Sequence, residues 1–277
     1  MNSTNDAVRT TALRDRFHAL HASGCFVIPN PWDVGSARIL ASLGFAALAS
    51  TSSGFAWSTG RRDNHITLDD ALAHLRTLVS SVDVPINADF EGGFAIGPDE
   101  LAANVARAVD TGIAGLSIED STGIPTSPLF DVGLSVERIH AARAALDRHP
   151  SPPLLVARSE GFIAGRPDLD ETVRRLVAYS NAGADCLYAP GIRTAEQIRA
   201  VVQAVAPKPV NVLVSAPFTT VDALAALGVR RISVGGALAR SAWAGFLDAA
   251  REIAATGTFT AFASAVPSTE MNAFFDK

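Results

Sequence analysis

Carboxylates in this chain fall just after short apolar runs. Asp89 closes Ile86-Asn87-Ala88-Asp89, with Glu91 two residues on. Glu119 and Asp120 follow Gly115–Ile118, and Asp63 comes later in the polar stretch after Ala46–Ala49. Acids delivered from three such positions to one mouth repel each other unless a cation lies between them. Hard oxygen donors of this kind suit Mg²⁺ or Mn²⁺. The alternative is that these acids are helix N-caps or solvated loop residues. That suits Asp33, Glu91 and Asp120 better than Asp89 and Glu119, which directly follow apolar strands. Arg158, after Leu154–Ala157, sits in the same acidic company. It suits either a bidentate clamp on an anionic substrate or an ion pair to Glu160 or Glu119. The run Ser50-Thr51-Ser52-Ser53-Gly54 could offer N–H groups and hydroxyls to a carboxylate or phosphate, or could be a simple turn. Tyr188, Asn211 and Ser215 close the later runs, and Asn30 and Asp33 the first.

Elements that could carry these residues to one place are legible in the alternation of apolar runs. Expected strands are Cys25–Ile28, Ala46–Ala49, Ile86–Asp89, Gly115–Ile118, Leu154–Ala157, Cys186–Tyr188, Val210–Leu213 and Arg231–Val234. They are short and mostly apolar, as strands covered on both faces are. Expected helices between them are Val34–Leu43, Leu68–Ser81, Pro98–Thr111, Ser135–Asp147, Leu169–Asn181, Ala195–Val205 and Thr220–Leu227. Ala237–Ala255 and Ser268–Phe275 follow as a further long helix and a short one. Gly44, Gly112, Gly183 and Gly228 punctuate helix-to-strand junctions, which is the loop chemistry of a repeated βα unit. Eight units make a single (β/α)8 TIM-type barrel spanning 1–277, with a helical extension from about 237 to 277. A doubly wound open sheet is the alternative. It usually brings a glycine-rich loop after its first strand, and Pro29-Asn30-Pro31-Trp32 is nothing like one. In such a barrel, functional groups gather at the C-terminal strand ends.

Composition narrows the class of partner. The 277 residues are 48% hydrophobic and 18% charged, with 23 basic and 28 acidic side chains for a net charge of −5. That balance argues against nucleic acid or an anionic membrane as partner. Cys25 and Cys186 stand in no metal-ligand spacing, which excludes a disulfide scaffold and a zinc ribbon. The N-terminal stretch lacks an apolar core of the secretory kind, and no apolar run is long enough for a bilayer. A cytoplasmic protein is expected. His18, His21, His74, His140 and His149 are expected to be solvated, and His65 to lie near the mouth.

Six segments in order carry a resemblance. They are Asn30-Pro31-Trp32-Asp33, Ser50–Gly54, Gly60-Arg61-Arg62-Asp63, Pro85-Ile86-Asn87-Ala88-Asp89, Gly115–Asp120 and Ala157-Arg158-Ser159-Glu160. Over about residues 15 to 245 the chain resembles the isocitrate lyase/phosphoenolpyruvate mutase superfamily. The resemblance implies a barrel whose last helix is swapped between subunits of a homodimer or homotetramer. It also implies Mg²⁺-dependent chemistry on small carboxylates through an enolate-like intermediate. Asp63, Asp89 and Glu119 match positions that hold the metal, mostly through water. Thr51, Ser52 and Ser53 match the segment that binds the substrate carboxylate, Arg158 matches the anion-binding arginine, and Asn211 joins the expected substrate set.

Two departures qualify the expectation. Many members carry an aspartate, a direct metal ligand, where this chain has Asn87. Cleaving members carry a Lys-Lys/Arg-Cys-Gly-His loop after strand four, whereas Ser121–Pro128 holds no cysteine, lysine or histidine. The Lys-Thr-Asn of phosphonate mutases is absent there too. Tyr188 is then the spare proton donor, since a phenol can hydrogen-bond a developing enolate; otherwise it packs the rim. The expectation is a Mg²⁺-dependent carbon–carbon lyase acting on a small 2-hydroxy or 2-oxo di- or tricarboxylate. Oxaloacetate decarboxylation, phosphonate chemistry and a non-catalytic α-keto acid binder are the alternatives. The tail residues Phe259, Phe262, Met271, Phe274 and Phe275 are expected to cover a barrel floor, the chain's own or a neighbour's.

Overall fold

Eight short strands lie parallel in one sheet in this computed structural model, which describes residues 3–276. They are β1 (Phe26–Ile28), β2 (Leu48–Ala49), β3 (Ile86–Asp89), β4 (Gly115–Glu119), β5 (Leu154–Arg158), β6 (Cys186–Tyr188), β7 (Val210–Leu213) and β8 (Arg231–Ser233). Neighbours in sequence pair from β2 through β8, and β8 returns to pair with β1. One gap remains, between β1 and β2. A single backbone hydrogen bond, Ala49 N–H to Pro29 C=O at 3.0 Å, crosses it. Asn30 staples the same seam: its amide donates to Ser50 C=O, and its Oδ1 accepts from Val234 N–H and Gly235 N–H. The result is the expected (β/α)8 barrel.

Helices α2 (Val34–Ser42), α4 (Leu68–Ser81), α5 (Pro98–Val109), α6 (Val132–Leu146), α7 (Leu169–Asn181), α8 (Ala195–Val205) and α9 (Val221–Ala226) alternate with the strands. Helix α4 shows why they form. Thr67 and Asp70 make a reciprocal capping box, and Ala71, Leu72, Leu75, Leu78 and Val79 bury one stripe. Each large side chain so buried contributes about 1.5–3 kcal/mol. Helix α6 begins three residues before the expected Ser135, because Asp131 accepts from Gly133 N–H as its N-cap.

Two helices were not expected. The first, α1 (Ser3–Ala22), closes the floor of the barrel: Phe17 is fully buried there and Leu13 nearly so. Its Arg14 donates to the carbonyls of Ile113, Val109 and Ser151, fastening it to distant loops. The second, α3 (Ser52–Ser58), turns the small-residue run into a short helix capped by Thr51.

The floor corrects the expectation for the tail. Because α1 covers it, the C-terminal residues do not cover the chain's own floor. Helix α10 (Ala237–Thr256) leaves the barrel after β8 and packs chiefly on the 3₁₀ turn Thr260–Ser264, with α11 (Ser268–Ala273) beyond. Only Ala239 of α10 is fully buried, while Trp243, Phe246, Leu247, Phe259 and Phe262 stay exposed. No helix among the described residues is long and apolar enough to cross a membrane.

Candidate active site

The C-terminal strand ends open into a cavity of about 370 Å³. That volume suits a small-molecule ligand. Thr51, Ser52 and Ser53 reach it from the start of α3, Asp63 from the following loop, and Asn87 and Asp89 from β3. Glu119, Arg158 and Tyr188 come from β4, β5 and β6. Asn211 does not line the cavity. It is fully buried below, donating to Ser233 Oγ at 2.9 Å. A glycine after β8 lets α3 approach: a Cβ on Gly236 would lie 2.8 Å from Ser53 Oγ.

Arg158 organises the acids. Its Nη1 lies 2.8 Å from both Asp89 Oδ1 and Glu119 Oε1, while Nε and Nη2 bind the two oxygens of Glu160 at 2.7 and 3.2 Å. Its guanidinium carbon also sits 5.0 Å from the Tyr188 ring centroid. The ion-pair reading therefore describes what this arginine does, with Asp89 as a further partner. One guanidinium cannot neutralise three carboxylates. Burial, with Glu160 and Asp89 adding to it, holds the Glu119 carboxyl well above the ordinary glutamate range.

Negative charge is in excess at the mouth. Burial and then Asp89 raise the Asp63 carboxyl, and burial, Asp89 and Asp63 push Glu91 up to about 8. Glu91 Oε1 is buried without a hydrogen-bond partner among the described residues. Among the described residues the non-glycine positions with positive φ are Asn64, which lines this cavity, and Glu91 and Phe94, which line an adjoining one. Backbone held in that region costs of order 1 kcal/mol or more, and such strain concentrates at functional sites.

The neighbouring acids divide as their contacts dictate. Asp33 caps α2, accepting from Ser36 N–H at 2.7 Å. Asp120 is a buried structural hub that accepts from Tyr179 Oη at 2.6 Å, Glu160 N–H at 2.8 Å and Arg175 Nη1 at 3.2 Å. Burial pushes the Tyr188 phenol up to about 12, so it stays protonated and can donate. Cys25 and Cys186 are free thiols that do not line the cavity. His65 does not line it either; its ring binds the carbonyl of Asp63.

A second cavity of about 310 Å³ adjoins the first, sharing Asn64, Glu119 and Ser121. Phe94, Ala95, Ile96 and Phe130 give it an apolar wall, and Glu91 borders it. Reading the sequence missed Arg231, which lines the main cavity from the first residue of β8. The available signal was a cation opening a short buried strand.

A parallel barrel with acids from successive strand ends converging on one cavity at their C-terminal ends has the architecture of a barrel enzyme. Residues 17–254 match the phosphoenolpyruvate phosphomutase family. The chain belongs to that family, within the isocitrate lyase/phosphoenolpyruvate mutase superfamily. A crystal structure from Burkholderia cenocepacia J2315, named as a candidate lyase/mutase, is 48% identical with a TM-score of 0.94, over 97% of this chain and 98% of that one. An oxaloacetate decarboxylase of Rhodopseudomonas palustris is 31% identical, over 92% of this chain and 91% of its own. The structure of a 2,3-dimethylmalate lyase is 27% identical with a TM-score of 0.84, over 97% of this chain and 94% of that one.

Proposed function

We propose that this chain is a Mg²⁺-dependent carbon–carbon lyase acting on a small 2-hydroxy or 2-oxo di- or tricarboxylate. The observation that carries the reading is the convergence of Asp63, Asp89 and Glu119 on one 370 Å³ cavity around a single arginine. The donor set fits a hydrated hard cation. Among the described residues no three acids stand close enough to ligate a metal directly, so these carboxylates would have to reach the ion through its waters. Burial and neighbouring acids disfavour the ionised forms of Asp63 and Glu119, a penalty that such a cation would relieve.

Asp63, Asp89 and Glu119 would hold the ion, which supplies Lewis-acid stabilisation of a developing enolate when bound. The chain's own groups do the rest. Arg158 fixes Asp89, Glu119 and Glu160 relative to each other, so the acids need not reorganise when substrate enters. Ser52 holds the second oxygen of Asp89, and Thr51 and Ser53, bonded to each other at 3.1 Å, present hydroxyls to the substrate carboxylate. Tyr188, protonated and buried, donates a hydrogen bond where charge develops. The second cavity leaves room for a substituent on the acid.

Decarboxylation of a 2-oxo dicarboxylate such as oxaloacetate is the second reading, favoured by the Ser121–Pro128 loop. That loop offers no cysteine, lysine or histidine, and decarboxylation makes smaller demands on acid–base groups than retro-aldol cleavage. The oxaloacetate decarboxylase relative supports it. A panel of such acids assayed for pyruvate or glyoxylate release, with Mg²⁺ and with EDTA, tests both. Release that needs Mg²⁺ supports the lyase reading, with the acid consumed separating the two reactions. No release from any acid would leave a binding protein.

A further inference from the structure

Arg231 is a buried cation at this site that forms no ion pair among the described residues. It is 3% exposed, starts β8 and reaches the main cavity through the barrel interior. Its Nη1 donates to Asn87 Oδ1 at 3.2 Å, and its guanidinium carbon lies 5.9 Å from the ring centroid of Phe17 below. Its Nε is buried with no partner among the described residues. An unpaired buried charge costs several kcal/mol, so a fold that keeps one normally supplies a counter-charge.

The surroundings are built to hold it. The Asn87 amide donates to Ala88 C=O, which turns Oδ1 toward the arginine. Gly115 makes the space: a Cβ there would lie 3.0 Å from Asn87 Oδ1 and 2.7 Å from Phe17. An aspartate at position 87 would accept the same hydrogen bond but neutralise the guanidinium. Asparagine leaves the positive charge available. Meanwhile every nitrogen of Arg158 is already engaged by Asp89, Glu119 or Glu160. The cation expected to meet the substrate is therefore occupied by acids, whereas Arg231 has no acidic partner among the described residues.

We propose that Arg231 and Asn87 form an anion subsite on the cavity floor that takes one carboxylate of a dicarboxylate. This rests on the reading of the cavity as a dicarboxylate site and adds which residues choose it. Asn87 acts here as a neutral spacer that keeps Arg231 charged and open.

The test is calorimetric titration with malonate and with acetate in EDTA, where neither metal nor turnover contributes. The intact protein should bind malonate at least tenfold more tightly than acetate. Asn87→Asp should lower malonate affinity at least tenfold while raising the Tm of the metal-free protein, because the new carboxylate pairs with Arg231. Arg231→Met should also lose malonate, and the Asn87→Asp result decides the matter if that variant fails to fold. Malonate binding unchanged in Asn87→Asp, or absent from the intact protein, overturns the subsite. Turnover of any acid of the panel that persists alongside either result would sink the subsite and leave the reading of the cavity as a carboxylate lyase or decarboxylase site standing. Loss of malonate binding in Asn87→Asp without turnover of any acid by the intact protein would do the reverse.

Discussion

Ser52 donates both its backbone N–H and its hydroxyl to one oxygen of Asp89, each at 2.9 Å. The other oxygen accepts from Arg158 Nη1 at 2.8 Å, and the Asp89 N–H is held by Ser50 Oγ at 2.8 Å. Asp89 is thus fixed from the start of α3 and the end of β5 before any ligand arrives, and preorganisation of this kind is what a catalytic site requires. Asp89→Ala should reduce turnover by at least about a hundredfold, the scale of removing one oriented polar group. Far-ultraviolet circular dichroism should stay unchanged. Activity within a few-fold of the intact enzyme would remove Asp89 from the chemistry.

Arg158→Lys keeps the charge and loses the fork. A lysine ammonium cannot span Asp89, Glu119 and both oxygens of Glu160 together. Turnover should drop by at least about tenfold, equivalent to 1.4 kcal/mol. Apparent Mg²⁺ affinity should shift as the acids lose their common anchor. Steady-state kinetics across a Mg²⁺ series would read both, and unchanged values would reduce Arg158 to a stabilising ion pair.

Asn30 stands in for missing strand pairing between β1 and β2. Asn30→Ala removes three hydrogen bonds and leaves the N–H groups of Val234 and Gly235 without their acceptor. The expected cost is about 2–4 kcal/mol, given about 1–3 kcal/mol for each buried group left unsatisfied. Urea unfolding at neutral pH measures it. A midpoint that does not move would mean water satisfies the seam.

The histidines overturn the expectation of solvated side chains for two of the five. His21 is buried edge-on to Phe17 and Phe26, and His74 stacks on Phe55 at 3.9 Å. Burial lowers their pKa values to about 3 and about 4. Both are neutral when folded and take up a proton near 6.5 when unfolded, so the unfolded chain binds more protons below that pH. The contribution of these two histidines to stability is therefore complete above pH 6.5 and falls as the pH drops toward 4. The slope is about 1 kcal/mol per pH unit for each histidine. Replacing His74 by Phe should shrink the stability difference between pH 7.5 and pH 5 by about 2 kcal/mol. An unaltered difference would mean the ring stays protonated in the fold.

The exposed face of α10 and its extension predicts assembly. Phe246, Phe259 and Phe262 are 59%, 60% and 53% exposed, with Trp243 and Leu247 beside them. Apolar surface on this scale marks an interface, and a two-fold exchange of the last helix would cover it. We expect a homodimer or dimer of dimers by light scattering, and aggregation or monomers after deletion of residues 264–277. A mass near 28.9 kDa for the intact protein at micromolar concentration would refute the exchange.

What the chain discloses in advance depends on the range of the cause. Strand ends and their acids were legible because apolar runs, glycine junctions and the polar residues after them are all local. Helix α3 was not, since five small residues read equally well as a turn; it exists because Thr51 caps it and Gly236 lets it approach. Helix α1 offers only the narrow stripe Leu13, Phe17 and Leu20, and its value comes from docking more than ninety residues away. The burial of His21 follows from that docking. Arg231 was missed because the useful end of a barrel strand is normally its last residue, and here a long side chain from the first residue spans the interior.

Strand β1 has its only ladder with β8, Phe26 opposite Arg231 and Ile28 opposite Ser233. During synthesis the first strand must therefore wait for some two hundred residues before its partner leaves the ribosome. At about 5–20 residues per second that is a delay of about 10–40 s. Throughout it, one edge of the growing sheet carries unpaired N–H and C=O groups, and nascent chains crowded on one message could pair through them. Slow translation near the end of the message would lengthen this exposure, so production of this protein should gain from chaperones that shield early chain segments.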